Sequence, residues 1–581
     1  MMSSLSPALV PILGAILVPF LRGRLRDIWM LALPVVGLVW LLNLPDGNHG
    51  QFTYLGLELT PVRVDAWSRV FAIIFFIAAF VSVIYALHVR EWMQQVAGLV
   101  YAGAGVGAVL SGDFVTTFVY WELMMVGSLC LIWASKTKAA FRASMRYLTM
   151  HLISGVLLLA GATAWYLVHG SVAFGDIGFA AITEWWNTGE RSLEAAAVSL
   201  LFMALAIKCV FPLLYNWVQD AYPEATVTGA VFLSVFTTKL AVYSLARGFA
   251  GEEVLIYIGA LMAAIPVFFA VMEDNLRRVL AYSLNTQLGF MVVGIGIGTE
   301  LALNGTAAHA FSHILYKSLL FMGMGAVLFR AGTVNASDLG GLYKSMPWTA
   351  GFCLVGAASA SAFPLFSAFV SKSLILSAAA YGGYLWIWLM LLFASAAVCL
   401  HTGLKLPYFA FFARDPGLRC EEAPTNMLVA MAITAALCVG VGSFPSALYA
   451  ILPYDIDYKP YTAAHVLSQL QLLMFVALAF TVLLWTRVYP QELRATNLDT
   501  DRFYRRFVRR PADGLVSGFA VVIRDVCTLG MAFARSFSAQ VAAWFSRDGF
   551  LTAERNTNIM VTLVSATLLS FLLLFYGIFD L

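Results

Sequence analysis

The stretch LFMALAIKCVFPLL, Leu201 to Leu214, decides the fold. It is long and apolar enough to lie in lipid, yet it carries Lys208 near its middle and Pro212 one helical turn later. A charge at the centre of a membrane helix costs roughly 2.5–3.5 kcal/mol even on lenient insertion scales. Pro212 cannot donate the backbone hydrogen bond that a continuous helix would direct at the Lys208 carbonyl. A buried ammonium beside a freed carbonyl points to a site that handles ions or protons.

Composition agrees. Hydrophobic residues make up 61% of the 581-residue chain, charged residues 12%, and the mean hydropathy is +0.83. These values exclude an ordinary soluble protein and indicate one large polytopic membrane domain. The net charge of +3 gives no reason to expect nucleic acid. Cys130, Cys209, Cys353, Cys399, Cys420, Cys438 and Cys527 are scattered without a CxxC, so neither a metal site nor a disulfide framework is expected. The apolar N-terminus lacks a basic leader, so Leu5–Leu21 reads as a retained first helix.

Apolar runs of spanning length number about sixteen. They fall near 5–21, 28–44, 66–88, 93–111, 113–133, 147–168, 193–215, 225–249, 253–272, 280–298, 303–329, 349–381, 385–413, 427–452, 466–487 and 558–580. The run 349–381 is too long for one straight crossing and contains Pro364, which predicts a broken helix. Odd-numbered loops hold Arg22, Arg24, Arg26, Arg90, Lys136, Lys138, Arg142, Arg146, Arg277, Arg278, Arg330, Lys344, Arg414 and Arg419. Even-numbered loops hold little beyond Arg63, Arg191, Arg247 and Lys459. This bias places the odd loops in the cytoplasm.

The segment 489–553 breaks the pattern. It opens with the basic cluster Asp501–Arg510, and a long helical run follows from Gly514 to Phe545 with Arg524, Asp525 and Arg535 as its charges. An amphipathic lateral helix over 512–546, lying on the membrane face, is the expectation; a further crossing is the alternative. A terminal anchor at 554–581 follows.

Phe211-Pro212-Leu213 recurs as Phe363-Pro364-Leu365, each near an intramembrane lysine, Lys208 or Lys372. The two helices lie five apart in order, so they cross in opposite directions. Broken helices at matching places in two inverted halves mark the working sites of transporters.

Further ionisable residues lie inside the spans. They are Glu122, Lys239, Lys405 and the set His309, His313 and Lys317, spaced i, i+4, i+8 along one helix face. For each, a structural ion pair or a snorkelling side chain is the bland alternative, most of all for Lys372 and Lys405 near helix ends or breaks. Left unpaired, five or more such charges would cost on the order of 10–15 kcal/mol, comparable with the stability of a whole fold. They must be paired or hydrated, and a string of them makes a polar axis. The HxxxH pair lacks a third ligand and the glutamate of HExxH, so a proton relay is expected rather than metal.

The blocks AIKCVFPLLYNWVQDAYPEA, NLRRVLAYSLNTQLGF, HAFSHILYKSLLF and FPLFSAFVSKSLIL resemble the antiporter-like membrane subunits shared by respiratory complex I and Mrp-type Na+/H+ antiporters. The likeness spans roughly 95–410. LPYDIDYKPYTAAHVLSQLQLL and NLDTDRFYRR are most similar to the D subunit of Mrp complexes. The resemblance implies two inverted five-helix repeats, at 93–250 and 251–415, between N-terminal helices at 1–92 and C-terminal helices at 416–488. It also implies that Glu122, Lys208, Lys239, His309, His313, Lys317 and Lys372 carry protons. By the same resemblance the chain is a transporter subunit of the inner (plasma) membrane, exchanging protons for Na+ among other membrane subunits. A proton-pumping subunit of complex I, of a membrane hydrogenase or of an inorganic-carbon uptake complex is the alternative, and an assembly scaffold a third. No nucleotide, flavin or iron–sulfur motif is present, so no cofactor is expected. Asp65, Asp113 and Asp220 are too dispersed to nominate a sodium site.

Overall fold

The computed structural model describes residues 5–190, 192–486 and 499. Within them the chain is an all-α polytopic membrane protein. Twelve helices are long and apolar enough to cross a bilayer, from Gly23–Asn43 to Ala463–Trp485. At 1.5 Å per residue a 20-residue helix matches the roughly 30 Å hydrocarbon core. Two more crossings are each split in two: Leu193–Lys208 with Asn216–Ala221, and Pro347–Ala360 with Ser367–Tyr381. The first apolar run folds as a shorter helical stretch, Leu9–Phe20. The expected basic segment 489–553 with its lateral helix, and the anchor at 554–581, lie outside the described residues, apart from Asp499.

Burial sorts the helices. Val227–Gly248 is wholly enclosed and Leu276–Ile297 nearly so, whereas Ala463–Trp485 buries only 17% of its apolar window. That helix turns Met474, Phe475 and Leu478 outward. Such a face suits lipid, since apolar side chains lose nothing there while every backbone group is satisfied within its helix.

Ion pairs and hydrogen bonds between loops fix the parity of the crossings. Arg90 meets Asp27, Lys136 meets Glu91 and Lys344 meets Asp415 between odd-numbered loops, and on the same face Arg146, early in the helix Lys138–His169, meets Asp220 in the half-helix Asn216–Ala221. Arg247 bonds Asp65, and the Thr60 amide donates to Asp113, between even-numbered ones. The two split helices therefore run in opposite senses, Leu193 starting on the even-loop face and Pro347 on the odd-loop face.

Three details depart from the sequence reading. The sixth crossing begins at Lys138 rather than 147, because Thr137 accepts the Ala140 amide at 2.9 Å and caps the helix there. Residues 47–64, between the second and third apolar runs, form two short antiparallel strand pairs, Gly47–His49 with Val62–Val64 and Phe52–Tyr54 with Leu57–Leu59. The helix from Leu385 loosens to i→i+5 winding over Cys399–Lys405 and again over Tyr408–Phe412.

Candidate functional site

The two breaks share one backbone. Val210 and Leu213 adopt φ of 57° and 69°; Ala362 and Leu365 adopt 58° and 76°. The Phe211 amide reaches back to Ala206 O at 3.1 Å, as the Phe363 amide does to Ala358 O at 3.0 Å. Beyond each proline, Leu214 and Phe366 donate to Phe211 O and Phe363 O. A left-handed non-glycine residue costs roughly 1–2 kcal/mol. Four of them, paired three apart beside two prolines, are a built feature at which the chain opens its carbonyls.

Lys208 ends the first half-helix and is buried, its Nζ 4.1 Å from the centroid of the Trp121 ring. Glu122 follows on the same helix as Trp121, Phe114–Trp133, within electrostatic reach of Lys208. Its Oε1 is buried with no hydrogen-bond partner among the described residues. Gly155, on the helix Lys138–His169, gives that oxygen its space: a methyl group there would collide with it. Trp217 donates to Ile207 O at 3.0 Å, covering a carbonyl of the last turn before the break.

At the middle, Lys239 sits just past a hitch between Val227–Val235 and Thr237–Gly248. Its Nζ donates to Ser234 O at 2.6 Å and to Thr238 Oγ1 at 3.2 Å. His313 faces both Lys239 and Lys317 electrostatically, and neither of its ring nitrogens has a partner among the described residues. His309, one turn away with its ring 6.1 Å from that of His313, is anchored on both sides. Its Nδ1 lies 3.1 Å from Ser371 Oγ and its Nε2 2.8 Å from Gln287 Oε1. Ser371 precedes Lys372, whose Nζ donates at 2.9 Å to Ala360 O, a carbonyl freed by the second break. Lys317 donates to Leu280 O at 3.3 Å. Lys405 donates to Val271 O and Glu273 O at 2.7 and 2.8 Å.

The predicted residues thus fall into two groups, Glu122 with Lys208, and Lys239 through Lys372. No hydrogen bond joins Lys208 to Lys239 among the described residues. Side chains that sequence reasoning missed lie between. His151, within electrostatic reach of Lys208, stacks on Tyr147 with ring centroids 4.0 Å apart. Tyr147 bonds Ser128 and reaches Thr237, and Thr237 bonds Tyr101 at 2.7 Å beside Thr238 and Lys239. Asp499 was missed too. Its carboxylate accepts from Tyr215 Oη at 2.5 Å, Asn216 Nδ2 at 2.8 Å and Tyr282 Oη at 2.9 Å, at the odd-loop end of the first break. Among the described residues no three His, Cys, Asp or Glu side chains converge for a metal ion.

Residues 111–398 match the family described as NADH:quinone oxidoreductase/Mrp antiporter, TM. That segment holds both breaks and the residues between them. Over 313 residues the chain is 32% identical to the D subunit of the Na(+)/H(+) antiporter of Alkalihalophilus pseudofirmus, covering 52% of this chain and 61% of that relative. Its fold is similar to a chain of the Mrp complex from Dietzia sp. DQ12-45-1b, with TM-score 0.68 and 21% identity, over 79% of this chain and 99% of that one. It is also similar to a chain of respiratory complex I from Thermus thermophilus, with TM-score 0.64 and 22% identity, over 78% and 100%.

Proposed function

We propose that the chain is the proton-translocating subunit of a multisubunit Na+/H+ antiporter in the plasma membrane, working only with partner membrane subunits. The observation that supports this reading is the pair of like breaks, each beside a buried lysine, with Lys239, His313, Lys317 and His309 between them. Glu122 is the counter-charge of the first lysine. While the carboxylate lies close, Coulomb attraction keeps the proton on Lys208; when it turns away, the ammonium is left in a low-dielectric interior and gives the proton up. The hydroxyls of Tyr147, Thr237 and Tyr101 supply a polar route toward Lys239, and His313 relays between Lys239 and Lys317. Moving one charge through 100 mV involves about 2.3 kcal/mol, a size that approach and withdrawal of one carboxylate can match.

The test is Lys208→Ala in the intact assembly, assayed in inverted membrane vesicles. Proton-coupled transport should fall by about a hundredfold or more, with the chain still incorporated in its complex. Wild-type transport by that variant would overturn the reading.

A second reading, in which a redox partner powers a proton pump of which this chain is one part, draws on the likeness to complex I. Purifying the assembly and identifying its other chains separates the two.

A further inference from the structure

The loosened helix between Val398 and Phe412 holds two buried ionisable residues that the scheme above does not use. Winding of the i→i+5 kind is rare and concentrates at functional positions, because the widened turn redirects side chains and weakens the backbone ladder. Here it spans Cys399–Lys405 and carries His401 and Lys405 four residues apart. The same spacing separates His313 from Lys317.

His401 is fully buried. Its Nδ1 lies 2.9 Å from Thr402 Oγ1, and Thr402 donates to Ser283 Oγ at 2.8 Å. Its Nε2 is buried with no partner among the described residues. Ser283 stands one turn along the helix Leu276–Ile297 from Leu280, whose carbonyl holds Lys317. His401 also lies within electrostatic reach of Lys317, Lys372 and Lys405. One turn beyond His401, Lys405 reaches Val271 O and Glu273 O, at the odd-loop end of the helix Val254–Met272. The Glu273 carboxyl is nearby and enclosed; burial raises it, and Arg278, in the first turn of the helix Leu276–Ile297, stands 3.8 Å away. These groups form steps from the centre of the protein to its odd-loop face: Lys317, then His401 beside Thr402 and Ser283, then Lys405, then Glu273.

We propose that His401 and Lys405 carry protons between Lys317 and the odd-loop face at Glu273, so that the second half of the protein has its own opening on that face. This rests on the proton-conducting function proposed above. A purely structural role for Lys405 competes with it. An ammonium against the last carbonyls of a helix is stabilising on electrostatic grounds alone.

Arginine and glutamine separate the two. Lys405→Arg keeps the charge and the donors but does not release a proton at any accessible pH. His401→Gln keeps a hydrogen bond for Thr402 but cannot titrate. Both variants, together with Lys208→Ala, are assayed in the intact assembly for proton-coupled transport in inverted vesicles, with incorporation checked on the purified complex. The expected result is normal incorporation and a fall of about a hundredfold in each of the two new variants. If either transports at the wild-type rate while Lys208→Ala is inactive, this branch is wrong and the broader function stands. If Lys208→Ala itself transports normally, the broader function fails first. Should one of the two variants fail to assemble, the other decides alone.

Discussion

The first and second breaks are alike in backbone and unlike in surroundings. Both turn at a Phe-Pro-Leu whose leucine and whose preceding residue are left-handed. At the first, Lys208 stands over Trp121 with Glu122 in reach. At the second, Lys372 donates to Ala360 O and lies 5.3 Å from the Phe290 ring centroid, with no carboxylate among the described groups that act on its charge. The shared backbone frees carbonyls for a cation within the apolar interior. On the proposed function, the carboxylate at only one of the two would make that lysine switchable by a neighbour's movement, while the other is held by fixed dipoles alone.

The largest effect should come from the lysines themselves. Lys372→Ala is expected to lower transport as far as Lys208→Ala does, by about a hundredfold or more, in vesicles containing the intact complex. Loss at Lys208 with full activity at Lys372 would break the pairing and make the second break an architectural copy. Next comes the counter-charge. Glu122→Gln keeps shape but removes the attraction that returns the proton to Lys208, so turnover should drop about tenfold without loss of assembly. An unchanged rate would mean that Glu122 is an incidental neighbour and that both lysines work alike.

Gly155 sharpens the same point at smaller amplitude. Gly155→Ala puts a methyl where Glu122 Oε1 lies, and helix propensity alone would favour alanine by about 1 kcal/mol. Transport should nevertheless fall several-fold while thermal stability holds or rises. A variant that is more stable and equally active would show that the position of the Glu122 carboxylate is not limiting.

The breaks were legible in the sequence because proline and lysine are conspicuous in an apolar run, and their echo fixed both places and opposite directions. Parity was legible in the same way, from arginine and lysine in alternate loops. What was not legible lies in contacts between helices. Nothing in the run around Trp121 says that its ring meets Lys208, and nothing local says that Gly155 makes room for Glu122. The hairpins at 47–64 escaped because their strands are three residues long and the tight turn at Leu55-Gly56, with φ of 51° and 77°, offers only one glycine as a signal. The loosened winding at Cys399–Lys405 has no residue signature, so His401 went unnoticed, although its spacing to Lys405 repeats that of His313 to Lys317. Asp499 was hidden by distance along the chain, since Tyr215 lies 284 residues away.

The finest comparison is of the backbones alone. Leu213 and Leu365 adopt left-handed φ and are 63% and 56% exposed, so neither side chain is held by the core. Replacing either with glycine relieves roughly 1–2 kcal/mol of strain but adds about 0.5–1 kcal/mol of unfolded-chain entropy. The two effects nearly cancel, leaving a gain of about 1 kcal/mol or less. Because the geometry repeats, the gain should be equal at the two sites, as read by the melting temperatures of Leu213→Gly and Leu365→Gly in detergent. A clear inequality would mean that surrounding contacts, rather than the Phe-Pro-Leu turn, set the energy of one break. Transport by the two variants should stay near wild type, because the lysines and their carbonyls are untouched. A fall at the first break alone would place the moving part there, where the carboxylate is.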